Sequence, residues 1–181
     1  MEPELVATQW PARSHGDDAQ DAITDLYQSH AVGLIRLAVV MLGDRPAAED
    51  VVQDAFAGLY RRWNHLSGVD RALGYVRASV LNGCRSRLRA RAREERLAAA
   101  GAATLPAASA EQAVLLGEEH AAVLAALRRL PDRQREALVL RYYMDLPETE
   151  IAAAMGVGRG TVKSTTSRGL AALGRLLEEG R

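Results

Sequence analysis

Residues 148–177 read ETEIAAAMGVGRGTVKSTTSRGLAALGRLL, and this stretch predicts two helices joined by a turn of three residues. The first helix covers residues 148–155, and the second covers residues 159–177. Gly156 can adopt the left-handed backbone that such a turn requires, because glycine has no Cβ. The arrangement is that of a helix-turn-helix. The small and apolar residues that would fill the wedge between the two helices are Ile151, Ala152, Met155, Val157 and Val162.

The second of these helices opens with a polar, cationic surface. Its first three turns carry three cations and no acid. In a recognition helix Arg bonds guanine edges, Ser and Thr bond bases or phosphates, and Lys neutralises phosphate. An exposed amphipathic hairpin without a DNA role is the alternative, but the glycine turn and the acid-free face favour DNA binding. The candidate DNA-binding residues are Arg159, Thr161, Lys163, Ser164, Thr165 and Arg168.

Upstream of this motif the apolar residues also recur at helical spacing, so the sequence predicts an all-α fold. One helical run ends at Gly43, which has the position of a C-terminal cap. Asp44 and Asp70 can each cap the helix that follows. Pro131 starts a further helix that continues through Tyr142. No run combines the richness in Val, Ile and Thr with the turn spacing that is typical of strands.

Composition divides the chain into two small helical domains. Residues 97–111 contain Gly, Pro and Ser among many alanines, which is typical of a linker. Residues 1–18 indicate a flexible N-terminal tail, which leaves one helical domain at residues 19–96 and a second, with the helix-turn-helix, at residues 112–178. The whole chain has no net charge, but residues 58–97 carry ten basic residues against three acids. Such a block points to an anionic partner for that part of the chain.

Six arginines lie within twelve residues near the end of the predicted third helix. At about 100° per residue, four of them share an arc of about 80° and two lie nearly opposite. The stripe could follow nucleic-acid phosphates; alternatively, it is a solvated helix end in which nearby glutamates pair some arginines. A second DNA-binding element in the same chain favours the phosphate interpretation. The stripe is Arg85, Arg89, Arg93 and Arg96, and the opposite pair is Arg87 and Arg91.

A cluster of polar residues lies on the second helix, opposite its apolar stripe, and three interpretations stay open. The acids could simply complement the helix dipole. They could bind a metal ion, although no companion histidine or second carboxylate helix is identified. They could also form an acidic docking surface for a basic partner protein. The residues of this cluster are Glu49, Asp50, Gln53 and Asp54.

Composition and motifs exclude several classes of protein. Hydrophobic residues make up 48% and charged residues 25% of the chain, which is typical of a folded globular protein. The single Cys84 excludes an intramolecular disulfide framework and a cysteine zinc site. The N-terminus lacks the pattern of a signal peptide, and no stretch of about 18 apolar residues is present, so we expect a cytoplasmic protein without a membrane span. We also expect no enzyme activity, cofactor, metal or small-molecule substrate, because no phosphate loop or nucleophile motif appears.

Two sets of motifs resemble bacterial RNA polymerase sigma factors. AEDVVQDAF at residues 48–56 and LYRRW at residues 59–63 are similar to sigma region 2. LPDRQREA at residues 130–137, EIA at residues 150–152 and GTVKS at residues 160–164 are similar to sigma region 4. Two short domains with these motifs in this order resemble the extracytoplasmic-function group, and details of the third helix resemble its actinobacterial branch.

The resemblance implies a sigma factor that binds core RNA polymerase, through its β′ clamp helices and β flap, and directs initiation at promoter DNA. An anti-sigma factor is a further implied partner. The residues that would dock on the clamp are Glu49, Asp50, Gln53 and Asp54. The residues that would engage the −10 element are Asn82, Arg85, Arg87, Arg89 and Arg93. The recognition-helix candidates named above would contact the −35 element.

Two other classes of protein stay open at this point. One is a stand-alone helix-turn-helix regulator that binds a promoter without polymerase. The other is a metal-dependent nuclease that uses the acids at residues 49–54.

Overall fold

A computed structural model describes residues 17–66, 69–100 and 118–180. Every regular element in these ranges is helical, which confirms the all-α prediction. The α-helices are α1 (Asp17–Leu42), α2 (Arg45–Arg62), α3 (Val69–Ala100), α4 (Glu118–Arg129), α5 (Asp132–Leu138), α6 (Glu148–Met155) and α7 (Arg159–Glu179). A 3₁₀ turn at Trp63–His65 follows α2, and a π turn at Val139–Tyr143 follows α5. Residues 1–16 of the predicted N-terminal tail and residues 101–111 of the predicted linker lie outside the described residues, whereas Asp17 and Asp18 already belong to α1.

Capping residues explain some of the ends of the first three helices but not all of them. Gly43 ends α1 in the left-handed conformation, with φ of 72°, which confirms it as the C-terminal cap. Asp44 takes the predicted N-cap position of α2 with an extended backbone, and its carbonyl oxygen accepts a 3.1 Å bond from the Ala48 amide. Because α3 already begins at Val69, Asp70 lies in its first turn, and the prediction that Asp70 caps this helix is wrong.

Helices α1, α2 and α3 pack against one another through the apolar stripes that the sequence indicates. Val52 of α2 and both Val80 and Cys84 of α3 are fully buried. The ring of Tyr27 on α1 stands edge-on to Phe56 of α2, with 5.0 Å between the ring centroids. These contacts fix α2 beside α3, so the acidic cluster and the arginine-rich segment lie on neighbouring helices.

The segment after α5 departs from the predicted continuous helix. The α-helix stops at Leu138, and the Met144 amide bonds the Val139 carbonyl at 3.0 Å, five residues back. This wider turn changes the direction of the side chains, as expected for a π turn. Tyr142, which the helical pattern placed in line with buried Leu138 and Val139, is instead 61% exposed, and Tyr143 is exposed beside it.

The two halves of the chain, α1–α3 and α4–α7, pack on each other and share one hydrophobic core. Helix α3 lies against α6, and α1 contacts α4 and α5. The sequence predicted two domains connected by a linker but contained no indication of this contact. The polar residues buried in this contact follow no periodic pattern along the sequence that would indicate a partner more than 50 residues away.

Candidate nucleic-acid interface

The helix-turn-helix forms as predicted. Gly156 adopts the left-handed conformation with φ of 67°, and the Val157 amide donates to the Ala152 carbonyl at 3.0 Å. Ile151 and Val162 are almost completely buried between α6 and α7, which confirms them as wedge residues. The turn and the wedge together hold α7 at a fixed angle to α6, so the N-terminal half of α7 projects its outer face from a rigid support.

The two faces of α7 separate the candidate DNA-binding residues. Thr161, Ser164 and Arg168 share one exposed face, because residues three and four apart lie on the same side of a helix. Arg159 and Lys163 are exposed beside them. These five side chains form the surface that we call the α7 polar face.

Thr165 does not belong to this surface, so its DNA contact stays a prediction that the structure does not support. It lies with Val162 and Gly169 on the buried side of α7, and it is only 9% exposed. That face packs on α5: a Cβ at Gly169 would lie 3.2 Å from Cγ of Leu138. The small residues at 165 and 169 therefore allow α7 to lie close to α5.

Hydrogen bonds along α7 order part of its polar face. The Ser164 hydroxyl donates to the Thr161 carbonyl at 3.1 Å. Arg168 donates from Nε to the Ser164 carbonyl and from Nη2 to Ser164 Oγ, each at 3.2 Å. Arg168 is thus held along the helix surface while its charge stays exposed, and fixing an arginine in advance reduces the entropy lost when it binds.

The acidic cluster of α2 forms a second exposed surface, made by Asp50, Gln53 and Asp54. Glu49 is half-buried and accepts a 2.8 Å bond from Arg45, one turn earlier. Asp50 lies 3.2 Å from Nη2 of Arg87 on α3. No group of three or more His, Cys, Asp or Glu side chains that could hold a metal ion occurs in the part of the chain that the structure describes.

The arginines of α3 divide between two surroundings, as the helical geometry predicts. Arg87 faces α2 and pairs with Asp50, whereas Arg85, on the other side, faces α5. Arg89 donates to the Arg85 carbonyl at 3.2 Å, and Arg91 pairs with Glu95 at 3.0 Å. Glu95 therefore pairs one arginine of this segment, as the solvated-helix interpretation expects.

Arg85 is paired within the protein in this structure, and its −10 contact stays a prediction. Its Nε and Nη2 bond the two carboxylate oxygens of Glu136 at 2.5 and 2.7 Å, and its side chain is only 14% exposed. Asn82 Oδ1 accepts a 2.7 Å bond from the same guanidinium. Arg89 and Arg93 remain exposed and line a groove with Asp132 between α3 and α5.

Sequence reasoning missed Glu136 as a functional candidate. Its side chain is fully buried, and it also accepts a 3.3 Å bond from Arg133. Burial raises the pKa of the nearby Cys84 thiol to about 12, and the Glu136 carboxylate adds to this rise. An acid directly before the apolar run of residues 137–140 was the available signal, because a charge among core residues normally has a buried partner.

The fold and its surfaces define a two-part helix-turn-helix protein with an acidic patch remote in sequence from the recognition helix. Residues 26–94 match the family model described as sigma-70 region 2, and residues 120–173 match the one described as sigma-70, region 4. No helix among residues 17–66, 69–100 and 118–180 has the length and apolar character needed to cross a bilayer.

Known proteins resemble the chain over most of its length. It is 32% identical over 154 residues to the RNA polymerase sigma-E factor of Streptomyces antibioticus, covering 85% of this chain and 83% of that one. It is 29% identical over 174 residues to the ECF RNA polymerase sigma factor SigL of Mycobacterium tuberculosis, covering 93% and 97%. The sigma factor RpoE of Bartonella quintana, solved in complex with the anti-sigma factor NepR, has the same fold, with a TM-score of 0.69, 24% identity and coverage of 87% and 99%.

The chain belongs to the sigma-70 family of RNA polymerase sigma factors and, within it, to the extracytoplasmic-function group. It is a promoter-directing initiation factor of RNA polymerase. This membership does not favour a stand-alone regulator or a nuclease.

Proposed function

We propose that the protein docks on core RNA polymerase through the acidic surface of α2, contacts the −35 element with the α7 polar face and contacts the −10 element with α3. The observation that carries this division of roles is the segregation of α7: the polar side chains of its N-terminal half are exposed, whereas Val162, Thr165 and Gly169 are buried on the side that packs on α5 and α6. The protein would contribute specificity rather than catalysis, and it would act in the cytoplasm, where polymerase and promoters are.

The acidic surface is suited to a basic protein partner. Asp50 and Asp54 lie one turn apart and are both exposed. Complementary charges of this kind steer association and fix the orientation of the complex. The exposed Asp50–Arg87 pair would be exchanged for polymerase contacts at little cost, because exposed ion pairs contribute at most about 1 kcal/mol.

Charge reversal tests this docking role. Asp50→Arg with Asp54→Arg is expected to abolish co-purification with core polymerase, while circular dichroism shows an unchanged helical content. Asp21→Arg with Asp25→Arg on α1 is the matched control, because it makes the same charge change at the same spacing on another exposed helix face. Equal polymerase binding by both double variants would refute docking through α2.

The α7 polar face is suited to duplex DNA, since Lys163 and Arg168 place two cations on exposed helix turns. Lys163→Ala with Arg168→Ala is expected to leave polymerase binding intact and to impair promoter recognition by the holoenzyme. Removing one interaction with a phosphate should reduce the slope of log affinity against log salt by about 0.9. Arg175→Ala, further along the same helix, is the control, and an effect of equal size there would mean that α7 acts only through its general charge.

The exposed residues of α3 are suited to the −10 strand. Arg87, Arg89 and Arg93 are exposed cations, and Asn82 adds a hydrogen-bonding amide on the same helix. Such groups can bind phosphates and an unstacked base, whose capture helps to nucleate melting.

In vitro transcription with core polymerase on genomic fragments, with start sites mapped, tests the function as a whole: absence of specific starts would refute it. An anti-sigma factor would be a further partner, as in the complex of the structurally similar sigma factor of Bartonella quintana.

A further inference from the structure

We propose that the segment before α1, residues 1–16, docks on exposed aromatic side chains at the open end of the α1–α2 hairpin, with the indole ring of Trp10 as its anchor. This contact lies within one chain and does not depend on the polymerase and DNA roles proposed above. The residues of this surface, which we call the hairpin-end patch, are Ile23 and Tyr27 of α1 and Phe56 and Tyr60 of α2.

The hairpin-end patch follows from the way in which α1 and α2 are joined. Only two residues separate these helices, so they run antiparallel and the start of α1 lies beside the end of α2. The rings of Tyr27 and Phe56 meet edge to face, with 5.0 Å between their centroids. Ile23 lies one turn before Tyr27, and Tyr60 lies one turn after Phe56. The antiparallel arrangement therefore places all four residues at the same end of the hairpin.

The patch leaves a large aromatic surface in solvent. Tyr60 is 58% exposed and Tyr27 is 39% exposed, whereas Phe56, which contacts Tyr27, is only 6% exposed. Ile23 and Trp63 are partly buried against the core cluster. Removing neighbouring apolar side chains from water is favourable, so an exposed cluster of this kind favours a partner that covers it.

The position at which the chain enters α1 identifies the partner. Residues 1–16 lie outside the described residues and join α1 at Asp17, six residues before Ile23. Trp10 is seven residues before Asp17, and a chain of that length spans up to about 25 Å when extended. Tyr27 lies about 15 Å along α1 from Asp17, so the indole can reach the whole patch.

The chemistry of the segment suits the patch. Trp10 is its only aromatic residue, and an indole packs well against tyrosine rings while its N–H still finds a hydrogen-bond partner. Glu2 and Glu4 precede Trp10, and α2 ends with the exposed cations Arg61 and Arg62. A segment tethered beside its site has an effective concentration on the order of millimolar, which favours it over a second copy or a separate protein.

The docked segment would lie at one end of the acidic surface of α2 without covering it. Tyr60 is two turns, or about 10 Å, beyond Gln53 along the helix, and Asp50 lies almost one turn further away. Residues 1–16 can therefore dock while the acidic surface stays open to a partner.

Tryptophan fluorescence tests the contact, because Trp10 and Trp63 are the two tryptophans of the chain. In a Trp63→Phe background, Trp10 is expected to emit at shorter wavelength, and to be quenched less by acrylamide, than in a peptide of residues 1–16. Tyr60→Ser is expected to abolish both differences. Tyr142→Ser is the matched control, since Tyr142 is exposed to nearly the same extent, 61%, but lies after α5.

Three results of this experiment would overturn the proposal. One is emission and quenching of Trp10 equal to those of the peptide, and another is an equal effect of the two tyrosine variants. The third is emission that changes on dilution, because it would identify a second copy as the partner. Circular dichroism verifies that each variant has the helical content of the unmodified chain.

Limited digestion with trypsin provides a second measurement, which needs no change at Trp63. Cleavage after Arg13 is expected to be slower in the unmodified chain than in Tyr60→Ser, because a docked segment must detach before the protease can bind it. Tyr142→Ser should be cleaved at the rate of the unmodified chain. Equal rates in all three proteins would show that the hairpin-end patch does not hold the segment.

Discussion

The close contact between α2 and α3 at Gly83 offers a sharp test of how the acidic cluster of α2 is held beside the arginine-rich helix α3. A Cβ at Gly83 would lie 2.7 Å from Cγ1 of Val51 and 3.4 Å from its Cγ2. Carbon atoms normally pack at about 3.5–4.0 Å. Val51 is 3% exposed, and a β-branched side chain in a helix has one preferred rotamer, so it cannot turn away. Gly83→Ala must therefore move the two helices apart.

Two opposing free-energy contributions determine the size of the effect. Replacing a helical glycine by alanine stabilises a helix by about 0.5–1 kcal/mol. Overpacking a buried contact costs about 1–3 kcal/mol, and here the clash is with a rigid side chain. We expect the clash to exceed the gain, with a net loss of about 1 kcal/mol in the free energy of unfolding.

Chemical denaturation followed by circular dichroism measures this difference. Gly74→Ala on the same helix is the control, since a Cβ there meets nothing within 4 Å, and it should stabilise by about 0.5–1 kcal/mol. A Val51→Ala background should remove most of the penalty of Gly83→Ala, as a double-mutant cycle of contacting residues requires. Gly83→Ala as stable as Gly74→Ala would refute the packing argument.

Three further predictions concern the helix-turn-helix and the buried thiol. Gly156→Ala should destabilise by about 1–2 kcal/mol in thermal unfolding because φ is 67° there, whereas Gly174→Ala, in an open helical position, should stabilise; equal effects would contradict the turn geometry. Thr165→Ala should lower the melting temperature and leave promoter affinity unchanged, whereas Ser164→Ala should leave the melting temperature unchanged and lower promoter affinity. Reduced affinity with unchanged stability for Thr165→Ala would show that this residue contacts DNA. Cys84 is fully buried and burial raises the pKa of its thiol to about 12, so maleimide labelling at pH 8 should be far slower in the folded than in the urea-unfolded protein, and fast labelling of the folded chain would contradict this. The raised pKa also means that the contribution of Cys84 to stability is complete below about pH 8.5 and is lost as the pH rises toward about 12, and a Cys84→Ala variant with the same pH dependence of stability would contradict that.

Sequence features close together in the chain were sufficient to predict the helix-turn-helix. A glycine that needs a positive φ, a wedge of apolar residues and a run of polar residues all lie within 30 residues, and each constrains its immediate neighbours. Helical periodicity also placed Arg85 and Arg87 on opposite sides of α3, where they pair with α5 and α2. The same periodicity, applied to Thr165, would have shown that it shares a face with Val162 and Gly169.

Contacts between residues far apart in the chain and irregular turns could not be predicted from the sequence. The Arg85–Glu136 contact joins residues 51 positions apart, and an isolated acid in a charged helix start does not indicate which of 22 arginines it meets. The π turn after α5 has no composition signal, because its residues are typical helix or strand formers. Tyr142 was consequently expected in line with the buried residues of α5, whereas it lies exposed on the surface.

The ion pairs on the two sides of α3 differ in burial, and this difference bears on the proposed docking through α2. The Asp50–Arg87 pair has 61% and 41% of its side chains exposed, so polymerase can replace it at a cost of at most about 1 kcal/mol. The Arg85–Glu136 pair is buried, and removing one partner alone would leave an unpaired buried charge at a cost of about 3–5 kcal/mol. The proposed docking through α2 would therefore need no rearrangement of the buried contact, because the ion pair that it displaces is exposed and weak. A −10 contact by Arg85 would require the buried pair to be given up, so we expect docking to precede that contact.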